Sequence, residues 1–240
     1  MRKHFLAAGL AVMIAGVSIN AQDNKHWDDS PRIEGSGNKV TKDVAVQPFD
    51  ELDISGVFSV VLTQGNSESV KIEADDNLQE LFEVKNEGSK LKIGMREKTN
   101  FNSKTKMKVY ISFKKLKSLD LKTVGNVSSE QMLSFDKLKL GNKSVGDVNL
   151  KISAQDVEIE NKSVGSVKLQ GKAENAVIRS NSVGSIVAPD FLVQTMDIDN
   201  TGVGSAEVNA AKELKVKDSF LGKVTNRGAA TAKKMNNVRI

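Results

Sequence analysis

The 240-residue chain is 39% apolar with 5% aromatic residues and no cysteine, which allows a sizeable core and excludes disulfides, thiolate metal sites and a lipid-modified cysteine. Its formal charge of +5 at pH 7 is too small to argue for nucleic acid as a partner. No run of about 18 or more apolar residues follows the N-terminal segment, so no helix is expected to span a membrane.

Arg2, Lys3 and His4, an apolar run from Phe5 to Val17, and Ile19-Asn20-Ala21 read as a secretory signal over residues 1–21, cleaved after Ala21. Loss of Arg2 and Lys3 takes the charge from +5 to +3. Export is then to the periplasm, the outer surface or the medium, and the lack of cysteine fits a bacterial envelope protein that needs no covalent staples. Residues 22–43 are polar and show no apolar period, which predicts a flexible leader, with His26 and Trp27 incidental to it.

Residues 44–113 form a β-rich half. Phe49, Leu52 and Ile54, then Phe58, Val60 and Leu62, alternate with polar residues; Val70, Ile72 and Ala74 resume the alternation after Gln64-Gly65-Asn66. Asp75-Asp76-Asn77 predicts a turn, followed by one helical turn at Leu78, Leu81 and Phe82. Leu91 with Ile93, and Met107 to Phe113, give further strands. A turn falls at Asn86-Glu87-Gly88, and Arg96 to Lys106 reads as an exposed hairpin loop.

Residues 114–228 repeat. Gly125, Gly146, Gly165, Gly184, Gly204 and Gly222 each follow Val or Leu and are separated by 21, 19, 19, 20 and 18 residues. A period near 20 carried by alternating strands predicts an all-β fold, a parallel β-helix (β-solenoid) of about six coils continuous with the preceding half. Parallel crossovers favour a right-handed course, although coils this short leave the hand and the number of faces open. Residues 229–240 form a basic tail suited to capping the last coil.

Aligned on the glycine, each position becomes a column through the stack. Three columns read as inward aliphatic ladders: six before it (Leu119, Leu140, Ile159, Ile178, Ile198, Val216), two after it (Val127, Val148, Val167, Ile186, Ala206, Val224) and one before it (Val124, Val145, Val164, Val183, Val203, Leu221). The column four before it, with Asn142, Asn161 and Asn200, also points inward, where amides bond along the stack. The glycine supplies either a positive φ or a close backbone approach. Glu158-Ile159-Glu160 and Asp197-Ile198-Asp199 resemble acid–base or calcium pairs, but charges of opposite sign on adjacent coils make them rung partners instead. Only Lys122, Lys143 and Lys162 stack without neutralising one another, which marks them as a candidate surface for an acidic ligand: a polysaccharide, a lipid headgroup or a neighbouring subunit. A solvated edge that discourages lateral strand pairing is the alternative.

The spacing Phe49-x-x-Leu52-x-Ile54-x-Gly56-x-Phe58-x-Val60-x-Leu62-x-Gln64-Gly65, then Val70-x-Ile72-x-Ala74-Asp75-x-Asn77-Leu78, Lys90-Leu91-Lys92-Ile93 and Val109-Tyr110-Ile111 before Leu116, resembles the head GIN domain of putative auto-transporter adhesins, common in Bacteroidetes. The resemblance runs over roughly residues 45–228. It implies a secreted β-helical protein with an adhesin role and no catalytic residues to carry over.

Both histidines, His4 and His26, precede the folded region, which therefore offers no imidazole base or zinc ligand. There is no phosphate-binding glycine loop and no nucleophile elbow. The expected function is a non-catalytic, secreted or cell-surface binding module without a cofactor, whose partner is a glycan, host matrix or an envelope component. A structural or regulatory envelope protein that self-associates through its solenoid ends is the alternative. A calcium-dependent carbohydrate-active β-helix enzyme comes third, weakened by the scarcity of aromatic residues for sugar stacking.

Overall fold

The computed structural model describes residues 32–235. The expected signal at 1–21, together with His26 and Trp27, lies outside the described residues. The strands are β1 (Ile33–Glu34), β2 (Lys39–Val44), β3 (Glu51–Gly56), β4 (Ser59–Gln64), β5 (Ser69–Asp75), β6 (Phe82–Glu87), β7 (Lys90–Met95), β8 (Phe101–Asn102) and β9 (Lys108–Phe113). They continue with β10 (Ser118–Thr123), β11 (Val127–Ser129), β12 (Leu133–Asn142), β13 (Val148–Asn161), β14 (Val167–Ser180), β15 (Ile186–Asn200), β16 (Ala206–Asp218), β17 (Val224–Asn226) and β18 (Ala232–Lys234). A 3-10 turn at Asp76–Leu81 follows β5, where one helical turn is expected.

The fold is a stack of parallel coils. Strands β3 and β4 make one coil; β10 and β11 lie in register on it, and β7 and β9 on its other side. The early chain is therefore not stacked in chain order, because the coil that comes first in sequence lies between two that come later. Antiparallel strands close this end: β6 pairs with β7, β5 with β9, and β2 with β5. From β13 to β16 each coil is one long strand, 14 residues in β13 and β14, followed by a tight turn such as 162–166. Long in-register pairing follows from the matched repeat: Val148 lies on Val167, and Ile159 on Ile178.

Burial alternates with period two through the turn. Val157, Ile159, Asn161, Ser163, Val167 and Leu169 are buried, whereas Glu158, Glu160, Lys162, Val164 and Lys168 are exposed. Positions an even number of residues from the glycine therefore face inward and odd positions face outward. This confirms the aliphatic columns six before and two after the glycine, and it corrects the third. Val124, Val145, Val164, Val183, Val203 and Leu221 sit one residue before the glycine, at odd parity, and are exposed.

The glycine acts by close approach and not by φ, since none of the repeated glycines has positive φ. A Cβ on Gly165 would collide with the carbonyl of Gly146, one on Gly146 with that of Gly125, and one on Gly184 with that of Gly165. Beside it run two polar ladders. Asn142 Nδ2 donates to Asn161 Oδ1 at 3.0 Å, and the hydroxyls of Thr123, Ser163 and Ser182 donate to the carbonyl of the glycine two residues on, at 3.0, 2.8 and 2.8 Å. These bonds satisfy polar groups that the tight turn buries, which would otherwise be costly.

Three expected irregular segments are partly ordered. In the leader, β2 pairs with β5, and β1 pairs with β8 inside the segment 96–106, which is no hairpin because β7 and β9 bond to different strands. The Asp75-Asp76-Asn77 turn is a clamp. Fully buried Asp75 accepts bonds from the Gly37 amide (2.7 Å), Ser103 Oγ (2.6 Å) and the Lys104 amide (3.0 Å). Burial pushes this carboxyl up, but those bonds and one from the Thr105 amide outweigh it, leaving Asp75 below its ordinary range. At the other end, Ala232–Lys234 of the expected tail lies parallel on β16 as a short final rung.

Gly165→Ala is expected to destabilise the fold by roughly 1–3 kcal/mol, because its Cβ meets backbone that cannot swing aside. Val164→Asp next to it should change stability by no more than about 0.5 kcal/mol, as an outward substitution does. Urea melts of both variants check this; a Val164→Asp loss as large as that of Gly165→Ala contradicts the parity assignment.

Candidate functional site

The outward residues of the turn form three parallel columns along one edge. Backbone bonds fix the register: Lys143 N donates to Leu121 O and Lys162 N to Asn142 O, both at 2.8 Å, and Val145 N donates to Thr123 O at 2.8 Å. Adjacent members of a column are therefore separated by about 4.8 Å, the spacing of hydrogen-bonded strands.

The first column is the expected one, and the structure brings its lysines together: Lys122, Lys143 and Lys162 on successive coils, all exposed, followed by Asn181, Thr201 and Ser219. Lys122 reaches Asp53 at 3.5 Å. Among the described residues no carboxylate lies within 4.0 Å of the Lys143 or Lys162 ammonium. The lysine Cα spacing is shorter than the screening length of about 8 Å at physiological salt, so the three ammonium groups repel one another, a repulsion tempered by Asp53 beside Lys122 and by Asp120 and Glu160 in the next outward column.

The second column is apolar and was missed because its residues were assigned to the core. Val57 belongs to it as well: Val124 N donates to Gly56 O at 2.9 Å, which places Val124 over Val57. From Val57 to Leu221 seven aliphatic side chains, each 50–62% exposed, form one ridge at the apex of the turns. Six steps of about 4.8 Å give it a length of about 29 Å. Phe220, 99% exposed, stands beside its far end. The signal that identifies this column is parity, counted from either neighbouring strand.

The third column, one residue after the glycine, is structural. Asn126 Oδ1 accepts from the Asp147 amide at 3.0 Å, Asp147 Oδ1 from the Ser166 amide at 2.8 Å, and Ser166 Oγ from the Ser185 amide at 3.4 Å. The carboxylate of Asp147 is thus engaged in the turn.

A concave groove of about 920 Å³ lies elsewhere on the stack, lined in part by Lys114, Lys117, Lys137, Lys172, Phe135 and Leu192. Three of its lysines are bridged, Lys114 to Glu68 at 3.4 Å, Lys117 to Asp50 at 2.6 Å and Lys137 to Asp156 at 3.7 Å, while Lys115 and Lys172 share the lining with Asp136 and Glu174. The Lys117 hydrogen bond, followed by one from Ser89, holds the Asp50 carboxyl below its ordinary range. Among the described residues the turn edge sets Lys143 and Lys162, neither within 4.0 Å of a carboxylate, on adjacent rungs of one column, whereas the groove mixes its lysines with Asp136 and Glu174, so the edge is the stronger candidate for an acidic ligand.

Residues 48–230 match the family described as putative auto-transporter adhesin, head GIN domain. The chain belongs to this family. Among solved structures it is similar to a putative adhesin from Bacteroides fragilis, with 27% identity and a TM-score of 0.73 over 85% of this chain and 100% of that one. A putative adhesin from Parabacteroides distasonis is similar at 20% identity and TM-score 0.67, over 85% and 96% of the two chains. A third, from the same organism and named a putative lipid binding protein, matches at 17% identity and TM-score 0.63, over 85% and 95%. No protein of curated function matches the sequence.

The head GIN match takes in the stack from β3 to β17, and with it the ridge and the lysine column. The acidic pairs within that stretch are largely tied into bridges. Glu158 meets Lys139 at 3.5 Å and Asp199 meets Lys217 at 2.9 Å, as rung partners should. Arg179 reaches diagonally to Asp197 at 2.8 Å, so Lys215 turns instead to Glu213 of its own strand at 3.7 Å. Such exposed bridges contribute roughly 0.2–1 kcal/mol each and set register more than stability. Among the described residues no group of three or more histidine, aspartate or glutamate side chains is placed to hold a metal ion.

A lysine stacked between two others should cost a little stability. Lys143→Gln is expected to raise stability by up to about 1 kcal/mol in low salt, with the gain shrinking as salt screens the repulsion. Thermal melts at two ionic strengths measure it, and a loss of stability on this substitution would mean that Lys143 has a structural partner.

Proposed function

We propose that this protein is a non-catalytic binding module, adhesin-like and exported beyond the cytoplasmic membrane, that holds an acidic ligand along its turn edge. The observation that carries this reading is the column of Lys122, Lys143 and Lys162, two of which have no carboxylate within 4.0 Å among the described residues. A rigid backbone ladder sets the lysine Cα atoms at regular intervals, so a polyanion can meet them without any ordering of the backbone, and that favours binding. Membership of the adhesin family supports a binding role, and the signal-like N-terminus supports export. The bridged state of Glu158, Asp197 and Asp199 weighs against a calcium-dependent carbohydrate-active enzyme.

Retention on immobilised acidic polysaccharide, with Lys122→Gln, Lys143→Gln and Lys162→Gln combined, tests the reading. The wild-type protein should be retained and should elute with salt, and the triple variant should bind at least about tenfold more weakly. Equal retention of the two would overturn it.

A second reading is favoured by the last rungs. Strands β17 and β18 are three residues each and, among the described residues, pair on one side only, with β16, which leaves a short edge to which another copy can add. A stable oligomer in light scattering, abolished by a proline within 224–226, would support association through the solenoid end.

A further inference from the structure

The lysine column does not explain the ridge beside it. A polyanion alone needs no aliphatic partner, yet the seven side chains from Val57 to Leu221 are each at least half exposed, in one unbroken line. Outward positions on the same coils are otherwise mostly polar, as at Lys168, Glu158 and Glu160. Contiguous exposed apolar surface of this kind marks an interaction site. The ridge also sits at the apex of the turns, between strand ends such as Asn161 and Val167.

We propose that the turn edge docks on an anionic lipid bilayer, the valine ridge entering the headgroup boundary and Lys122, Lys143 and Lys162 meeting lipid phosphates. The inference rests on reading the lysine column as an anion-binding edge, and it names the ligand. Peripheral binding that is stable combines an apolar element with a basic one, and here both lie on one face: each lysine is two residues before a ridge valine and shares its parity. The long lysine stems allow the ammonium groups to reach phosphate while the shorter valines go deeper.

The other occupants fit less well. An acidic polysaccharide accounts for the lysines but leaves the valines in water. A second copy packed ridge to ridge covers the valines, but the flanking column it would offer to the three lysines carries one carboxylate, Asp147, which is already bonded to the Ser166 amide at 2.8 Å. The lysine columns would stay largely unneutralised.

The test is flotation of the full chain with phosphatidylcholine vesicles containing or lacking phosphatidylglycerol. Two variants are compared with the wild type: Val145→Ser, Val164→Ser and Val183→Ser combined, and Lys122→Gln, Lys143→Gln and Lys162→Gln combined. All these positions face outward, so neither variant should be less stable than the wild type at physiological salt, and all three proteins share one N-terminus, whose apolar segment contributes equally. The wild type should float with acidic vesicles, and each variant should partition at least tenfold less. The valine variant should still be retained by soluble acidic polysaccharide. Equal flotation of the valine variant and the wild type would overturn the proposal, as would a wild type that ignores acidic vesicles while binding polysaccharide through its lysines; the lysine reading survives both. Retention of polysaccharide by the lysine variant would defeat that underlying reading instead. A wild-type dimer that does not float and that the valine variant dissolves would also overturn the proposal, in favour of a second copy on the ridge.

Discussion

Glycine resting on the backbone of the glycine one coil below is the contact on which the rest of the stack depends. Gly146, Gly165, Gly184 and Gly204 each approach the carbonyl of the glycine in the preceding coil too closely for any Cβ to fit. That approach holds successive turns at the strand spacing, so the ladder need not break at the corner and a residue repeated in sequence becomes a column in space. Lysine and valine columns on the outer face are consequences of the same restraint. In a looser turn their side chains would scatter, and no straight edge would exist.

Tightness at the turn creates a polar problem, which the neighbouring inward positions solve. The Asn142 and Asn161 amides bond along the stack, and the Ser163 and Ser182 hydroxyls close onto glycine carbonyls. At the N-terminal end a different device seals the stack, with antiparallel strands covering the parallel edge and Asp75 tying the chain at Gly37 to the segment around Ser103. Covering an edge in this way removes a template for unwanted pairing.

Much of this was legible in the repeat. The period near 20, the aliphatic columns at Ile159 and Val167, the inward asparagines and the stacked lysines all follow from spacing, because parallel stacking converts sequence period directly into contact. The valine column was misread because Val is usually buried and Val164 sits beside an invariantly placed glycine. Strict alternation from Ile159 or Val167 overrides that preference and turns Val164 outward. The clamp at Asp75 and the pairing of β1 with β8 were not legible, since they join segments far apart in sequence and outside any repeat. The groove around Phe135 escaped for a similar reason: its lysines come from strands and loops at offsets that do not recur.

The account stands or falls on which way the ridge residues point. The chain contains no cysteine, so single-cysteine variants give an unambiguous reading. Maleimide labelling of native Val145→Cys, Val164→Cys and Val183→Cys should approach the rate of the urea-unfolded protein, whereas Val167→Cys, two residues beyond the glycine, should be strongly protected. Protection of Val164→Cys comparable to that of Val167→Cys would contradict the parity of the turn, and with it the edge.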